Sequence, residues 1–322
     1  MQQEIRTERE KRLVRKIIVA AVRLFFILLI VTALTLFAVF LPLRSLLPAY
    51  AIPAREEGEL RIHFLAMGEG DCNIVEFPDG ELLVIDAGAG DFDHTNKLFR
   101  YINGLSFTAL SCVATRAEAT DCGGFIPLIN AYGVQTVYLP VLNYGYSRYQ
   151  KFEKVARAKA ERVETLTRYA VLENRSGAYC VCLSPYSVDE TDKSDSSAVL
   201  YLEYCGIRVL LSGNITAARE ERLLQDYALT EGIFDSGDHT VTLEEIDILK
   251  VSRRGASNAS SEAWLALISP AVAVITGGAG NRYHYPAADT VKRLSDSGAE
   301  LYRTDELGAV VVSIKKEGYR VC

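Results

Sequence analysis

The feature that most constrains this chain is its apolar run from Ile17 to Leu43, in which the one charged residue is Arg23. Leu24 to Leu41 are eighteen residues without a charge, and a helix needs about 20 apolar residues to cross a hydrocarbon core. The run predicts one transmembrane helix over 17–43, with Arg23 near the end where its stem reaches the headgroups. Residues 1–16 carry six basic side chains against three Glu, and residues 17–57 carry three Arg against two Glu. Positive charge concentrated ahead of the span places the N-terminal segment in the cytoplasm and the rest outside the cell membrane. Ala49-Tyr50-Ala51 also suits a signal-peptide cleavage site, but signal cores run about 7–15 residues, so an uncleaved single-pass anchor is expected. A short linker over 44–57, with Pro48 and Pro53, leads into one folded domain over 58–322.

Because the first 57 residues are net positive and the whole chain has net charge −6, the folded domain is more acidic than the total suggests. An acidic surface repels phosphate backbones at long range, which argues against non-specific nucleic-acid binding and leaves room for a local basic pocket. The seven cysteines form no C-x-x-C pair. Several lie inside apolar, strand-like runs, where Cys behaves as a small hydrophobe.

Within 58–322 the runs Leu60–Met67, Cys72–Phe77 and Glu81–Gly88 read as strands, separated by Gly68-Glu69-Gly70-Asp71 and by Pro78-Asp79-Gly80. A helix near 93–103, a strand over 107–114, a helix after Gly123-Gly124, a strand over 134–140 and a helix over 147–160 follow. Strands over 178–185 and 196–206, a hairpin partner over 207–213, and a helix over 215–229 make the middle. Strands at 246–252, 271–278, 299–304 and 309–314 then alternate with helices at 260–268 and 286–297. This order predicts mixed α/β sheets with helices on their outer faces.

The string Phe64-Leu65-Ala66-Met67-Gly68-Glu69-Gly70-Asp71 resembles the opening motif of the metallo-β-lactamase-like domain of ComEC-type competence proteins. Five further landmarks occur in that family's order. They are Pro78-Asp79-Gly80 with Leu83–Gly88, Val209–Asn214, Asp247–Gly255, Gly280–Tyr283 and Tyr302–Asp305. Ser194–Ser197 resembles the family's turn ahead of the hairpin. The resemblance implies an α/β fold, the αββα metallo-β-lactamase-like sandwich, behind one transmembrane helix. It also implies a site on the sheet edges where His and Asp hold zinc or manganese, which acidifies a bound water for phosphodiester hydrolysis.

The ligand positions are altered. The family's Thr-His-x-Asp-x-Asp-His-x-Gly-Gly becomes Thr115-Arg116-Ala117-Glu118-Ala119-Thr120-Asp121-Cys122-Gly123-Gly124. The strand-end Asp is Asn214, the paired histidines are Arg253 and Arg254, and a later His is Tyr285. Arginine stays protonated and offers donors only, so it repels a divalent cation where a neutral imidazole would bind it. No metal cofactor is expected at these positions, and a single weakly held cation at Asp86, Glu118 and Asp121, with Asp71 beside them, is the remaining metal reading. Two readings of the altered pocket stay open. Arg116, Arg253, Arg254 and Arg282 form a guanidinium pocket for phosphate or carboxylate, or Glu118 and Asp121 neutralise Arg116 or Arg253 in an internal network.

The four histidines, at 63, 94, 239 and 284, fall on none of the ligand positions. His63 is expected to be a structural residue inside the first strand, and Asp91–His94 an acidic helix start. The expectation is an inactive binding or scaffolding module that meets a phosphate-bearing ligand or a partner protein. The alternative is a metal-dependent phosphodiester hydrolase with a rearranged carboxylate site.

Overall fold

The computed structural model describes residues 15–36, 52–185, 193–237 and 239–322. The N-terminal helix and the main body belong to separate compact units. Helix α1 (Arg15–Leu36) has 22 residues and a mean hydropathy of 2.9, long and apolar enough to cross a membrane. The rest of the predicted span, 37–43, and most of the predicted linker, 44–51, lie outside the described residues, as does most of the basic segment 1–16.

The main body begins before residue 58. Arg61 donates from Nη1 to the Pro53 carbonyl at 2.6 Å and from Nη2 to the Ala54 carbonyl at 3.0 Å. Arg55 Nη1 donates to the Glu59 carbonyl at 3.2 Å, and its Nε stands 3.4 Å from Glu76 Oε1. Residues 52–57 are therefore fastened to the fold. Pro53, one of the residues that suggested a linker, lies in a strap that Arg61 and Arg55 tie to the fold.

The elements follow in chain order: β1 (Leu60–Leu65), β2 (Asn73–Glu76), β3 (Glu81–Ile85), α2 (Phe92–Ile102), β4 (Ala109–Val113), α3 (Ala119–Cys122), α4 (Phe125–Ala131) and β5 (Thr136–Leu139). Next come α5 (Ser147–Lys159), β6 (Arg162–Thr165), β7 (Val171–Arg175), β8 (Ala178–Ser184), β9 (Val199–Tyr204), β10 (Ile207–Leu211) and α6 (Ala217–Leu229). The chain continues through β11 (Phe234–Asp235), β12 (Thr240–Val241), β13 (Ile248–Lys250), α7 (Glu262–Ile268), β14 (Val272–Ile275) and α8 (Ala288–Asp296). It ends with β15 (Glu300–Arg303), α9 (Thr304–Leu307), β16 (Ala309–Lys315) and β17 (Gly318–Val321).

Two mixed sheets result. One has the order β17-β16-β1-β2-β3-β4-β5-β6 and the other β15-β14-β13-β10-β9-β8-β7. In the first, β3 to β6 run parallel; in the second, β10, β13, β14 and β15 do. Alternation in the strands sets what lies between the sheets: Leu60, Ile62 and Phe64 of β1 meet Cys180 and Cys182 of β8, Leu200 and Leu202 of β9 and Val209 and Leu211 of β10 in one core. The opposite face of the second sheet, including Val181, Tyr201, Leu210 and Leu249, is covered by Leu223 and Tyr227 of α6 and Trp264 and Ile268 of α7. The fold is the α/β sandwich that the motifs imply.

Five cysteines are buried and free, and Cys205 and Cys322 are exposed. Cys205 and Gly206 take positive φ at the β9–β10 turn, the backbone that a two-residue hairpin loop requires. Five strands absent from the sequence reading, β6, β7, β11, β12 and β17, all lie at sheet edges, β11 and β12 as a two-stranded sheet of their own. An edge strand such as Arg162-Val163-Glu164-Thr165, mostly exposed, has no buried face to impose apolar alternation.

Candidate functional site

The loops that carry the altered motifs meet beyond the C-terminal ends of β3, β4, β10, β13 and β14, where open α/β sheets place their ligands. Small residues let these loops touch. A Cβ on Gly70 would stand 2.3 Å from the Thr120 carbonyl oxygen, and one on Gly255 2.7 Å from Pro286 Cβ. The Gly278 amide donates to the Gly68 carbonyl at 2.9 Å, tying the β14 loop to the β1–β2 loop.

Two buried ionic groups occupy the site. In the first, Lys250 Nζ donates to Asp71 Oδ2 at 2.7 Å and to the Gly213 carbonyl at 3.1 Å. The Thr276 hydroxyl donates to Asp71 Oδ1. Burial alone would raise the Asp71 carboxyl, but Lys250 and Arg254 outweigh it and hold it below the ordinary carboxylate value. Lys250 is 1% exposed and was not singled out from the sequence. Its signal was there: a lysine inside the apolar strand Ile248-Leu249-Lys250-Val251, which needs a buried partner.

In the second group, Asp86 (φ 59°) accepts from the Thr115 amide at 2.8 Å and the Thr115 hydroxyl at 2.7 Å. Burial, and next the charge of Asp121, push its carboxyl well above the ordinary range. Arg116 Nε approaches Asp121 Oδ2 to 2.5 Å, but not in hydrogen-bond alignment: Arg116 Nε and both Asp121 oxygens are buried without a hydrogen bond. Burial opposes the charge on Arg116, yet Asp121 and Glu118 raise its pKa further, so it remains a cation. The Thr120 hydroxyl accepts from Arg116 Nη2 at 3.4 Å. Glu118 is half-buried at the start of α3 and makes no capping bond.

Arg253 and Arg254 sit on consecutive left-handed residues, φ 48° and 54°, a conformation that costs about 1–2 kcal/mol for each side chain larger than glycine. Arg254 is 8% exposed; its Nη1 is 3.9 Å from Asp71, whose oxygens already serve Lys250 and Thr276. Its Nε and Nη1 are buried without a hydrogen bond. Among the described residues Arg253, unlike Arg254, forms no ion pair with a carboxylate. Asn214 is buried at the end of β10, its amide donating to Ser197 Oγ at 2.9 Å and its Oδ1 without a partner. Tyr285 is pinned by Asn281, whose Oδ1 accepts from the Tyr285 amide at 3.0 Å, and it stacks on Tyr283 at 5.4 Å. Arg282 does not join this group. Its exposed guanidinium pairs with Glu69 at 3.0 Å and lies over the Tyr283 ring.

The remaining expectations place as structure. His63 is fully buried, 3.4 Å from Glu76, and Asp91 accepts from the His94 amide at 3.0 Å at the head of α2. Asp195 holds the Thr216 amide at 2.7 Å ahead of α6, and the Gly277 amide donates to Thr304 Oγ1 at 2.9 Å.

The metal implied by the resemblance does not fit these residues. Among the described residues no three His, Cys, Asp or Glu side chains converge as a ligand set. Asp86 is committed to Thr115, and Asp121 faces a guanidinium. Arg116 and Arg254 bring fixed positive charge to positions where the family has neutral donors.

No protein-family model matches the chain. It is 26% identical over 273 residues to ComE operon protein 3 of Bacillus subtilis, covering 79% of this chain and 33% of that protein. It is 26% identical over 138 residues to competence protein ComA of Neisseria gonorrhoeae, covering 43% of this chain and 18% of that one. The chain thus spans about a third or less of these relatives. Among solved structures, the metallo-β-lactamase fold protein YhfI of Bacillus subtilis aligns with TM-score 0.52 at 11% identity, over 80% of this chain and all of that one. At that identity it speaks for the fold alone. The body that follows helix α1 has the metallo-β-lactamase fold and is similar in sequence to these two competence proteins.

Proposed function

We propose that this chain is a single-pass membrane protein whose extracytoplasmic domain has replaced metal-dependent hydrolysis with metal-free binding of an anionic ligand. One observation carries the reading: Arg254 is buried with Nε and Nη1 unsatisfied, beside Arg253, on a backbone that disfavours both. An unsatisfied buried donor costs about 1–3 kcal/mol, more when charged, and a phosphate or carboxylate oxygen is the acceptor that removes the penalty. Of the four arginines in the candidate pocket, Arg116 is neutralised by Asp121 and Arg282 by Glu69. Arg253 and Arg254 remain for a ligand. Helix α1, with basic residues ahead of it, supports the anchor and its direction.

The test is calorimetry on the full chain in detergent, with inorganic phosphate as the probe. Binding at roughly millimolar affinity, weakened about tenfold or more in Arg254→Leu and in Arg253→Leu, is the expected result. Elemental analysis of the same sample should give no stoichiometric zinc or manganese. Stoichiometric metal, with cleavage of a chromogenic phosphodiester that stops on chelation, would overturn the proposal in favour of the hydrolase.

A further inference from the structure

Helix α1 carries three cations, Arg15, Lys16 and Arg23, and no acidic residue. At about 100° per residue, Arg23 falls between Arg15 and Lys16 in projection, so all three share an arc of about 100°. Arg23 stands about 10 Å further along the axis than Lys16. Two cations therefore sit at the mouth of the span and a third lies two turns inside it, on one face that Val19, Ala20, Leu24 and Ile27 continue with apolar surface. An intramembrane arginine without a counter-charge is unfavourable, and it is stabilised by drawing a phosphate toward it.

We propose that this face is a binding site for the headgroup of an anionic glycerophospholipid in the leaflet at the N-terminal end of α1. The apolar side chains beyond Arg23 lie along the acyl chains, and the three cations meet the headgroup phosphate. The inference rests on α1 being inserted in a bilayer and is otherwise independent of the domain's own site. It differs from general attraction to a charged surface in one respect: the position of Arg23 around the helix matters as well as its charge. Ala21 lies at nearly the same depth on the far side, about 160° from Arg23.

The full chain is reconstituted in vesicles of mixed phosphatidylglycerol and phosphatidylcholine, and the phospholipid that stays with it on gentle extraction is counted by native mass spectrometry. Wild type should retain phosphatidylglycerol in preference, and Arg23→Ala should lower that preference about fivefold, the usual effect of one cation at the surface. The double variant Ala21→Arg with Arg23→Ala keeps the charge and the depth. If it behaves like Arg23→Ala the site is supported; if it behaves like wild type, general attraction suffices and the proposal fails. Retention should survive an excess of inorganic phosphate, and displacement by it would also overturn the assignment. Release of wild-type chain by alkaline carbonate would remove the anchor itself, a failure that carbonate extraction reads separately from lipid retention.

Discussion

The two ionic groups of the site are built to different standards. Around Asp71 the partners converge from β13 and the β14 loop, and both carboxylate oxygens receive a hydrogen bond. Around Asp121 a guanidinium approaches just as closely, yet neither oxygen is hydrogen-bonded. The first group is a stitch that joins the two sheets. The second is short of hydrogen bonds, as are Asn214 Oδ1 and, beside the first group, Nε and Nη1 of Arg254. Buried polar networks are favourable when every member is satisfied and costly when some are not. The difference therefore separates a fully hydrogen-bonded group that joins the two sheets from an ion pair held by charge alone.

The largest way to break this contrast is Lys250→Ala. It leaves Asp71 buried beside a single distant cation, and removing one partner of a buried pair costs about 3–5 kcal/mol. Thermal unfolding of the full chain in detergent should show it; a loss under about 1 kcal/mol would mean that Asp71 is not a stitch.

Arg116→Met should cost less, about 1–3 kcal/mol, because its ion pair lacks hydrogen bonds. The double change Arg116→Met with Asp121→Leu should recover most of that loss, since apolar side chains can replace an imperfect buried pair with little change in stability. A double variant as weak as the single one would show that the pair is better satisfied than its geometry indicates.

The third test uses pH. Asp86 has a folded-state pKa raised above the ordinary value of 3.8. Its contribution is present in full below that value and is lost as pH rises toward the folded pKa, by up to about 1.4 kcal/mol per pH unit. Asp86→Asn cannot ionise and still offers an oxygen to the Thr115 amide. Its stability should fall less than that of wild type as pH rises from the unfolded carboxylate's pKa, and parallel curves in chemical denaturation would contradict the assignment. The opposite sign applies to Asp71, whose depressed pKa adds stability above 3.8 that is lost as acid protonates it.

The smallest effect is expected at the rim. Arg282→Ala removes an exposed pair with Glu69 and should change stability by no more than about 0.5 kcal/mol. It should also leave phosphate binding nearly unchanged. A tenfold loss of binding there would move the anion site outward, onto Arg282 and the stacked Tyr283 and Tyr285.

Much of this was legible in the residues themselves. The apolar run gave α1, alternation gave the interior strands, and a motif resemblance singled out Arg116, Asp121, Asn214, Arg253 and Arg254, whose loops meet at one end of the sheets. The edge strands β6, β7 and β17 were not legible: β6 is mostly exposed, and β7 and β17 turn too few residues to the core to show a period. Nor was the strap at 52–57, where Pro53 suggests a linker until Arg61 and Arg55 are seen to hold it.

What the sequence could not decide was the pairing of charges. Lys250 reaches Asp71 across 179 positions, and no local period encodes such a meeting. Sequence determined which ionisable groups enter the site, because side-chain chemistry is a property of the residue. Tertiary structure decided which are neutralised, since Coulomb energy and hydrogen bonding depend on distance and alignment that only the folded loops supply. On that division, Arg116 and Lys250 belong to the protein's own network, and Arg254 still has donors to give.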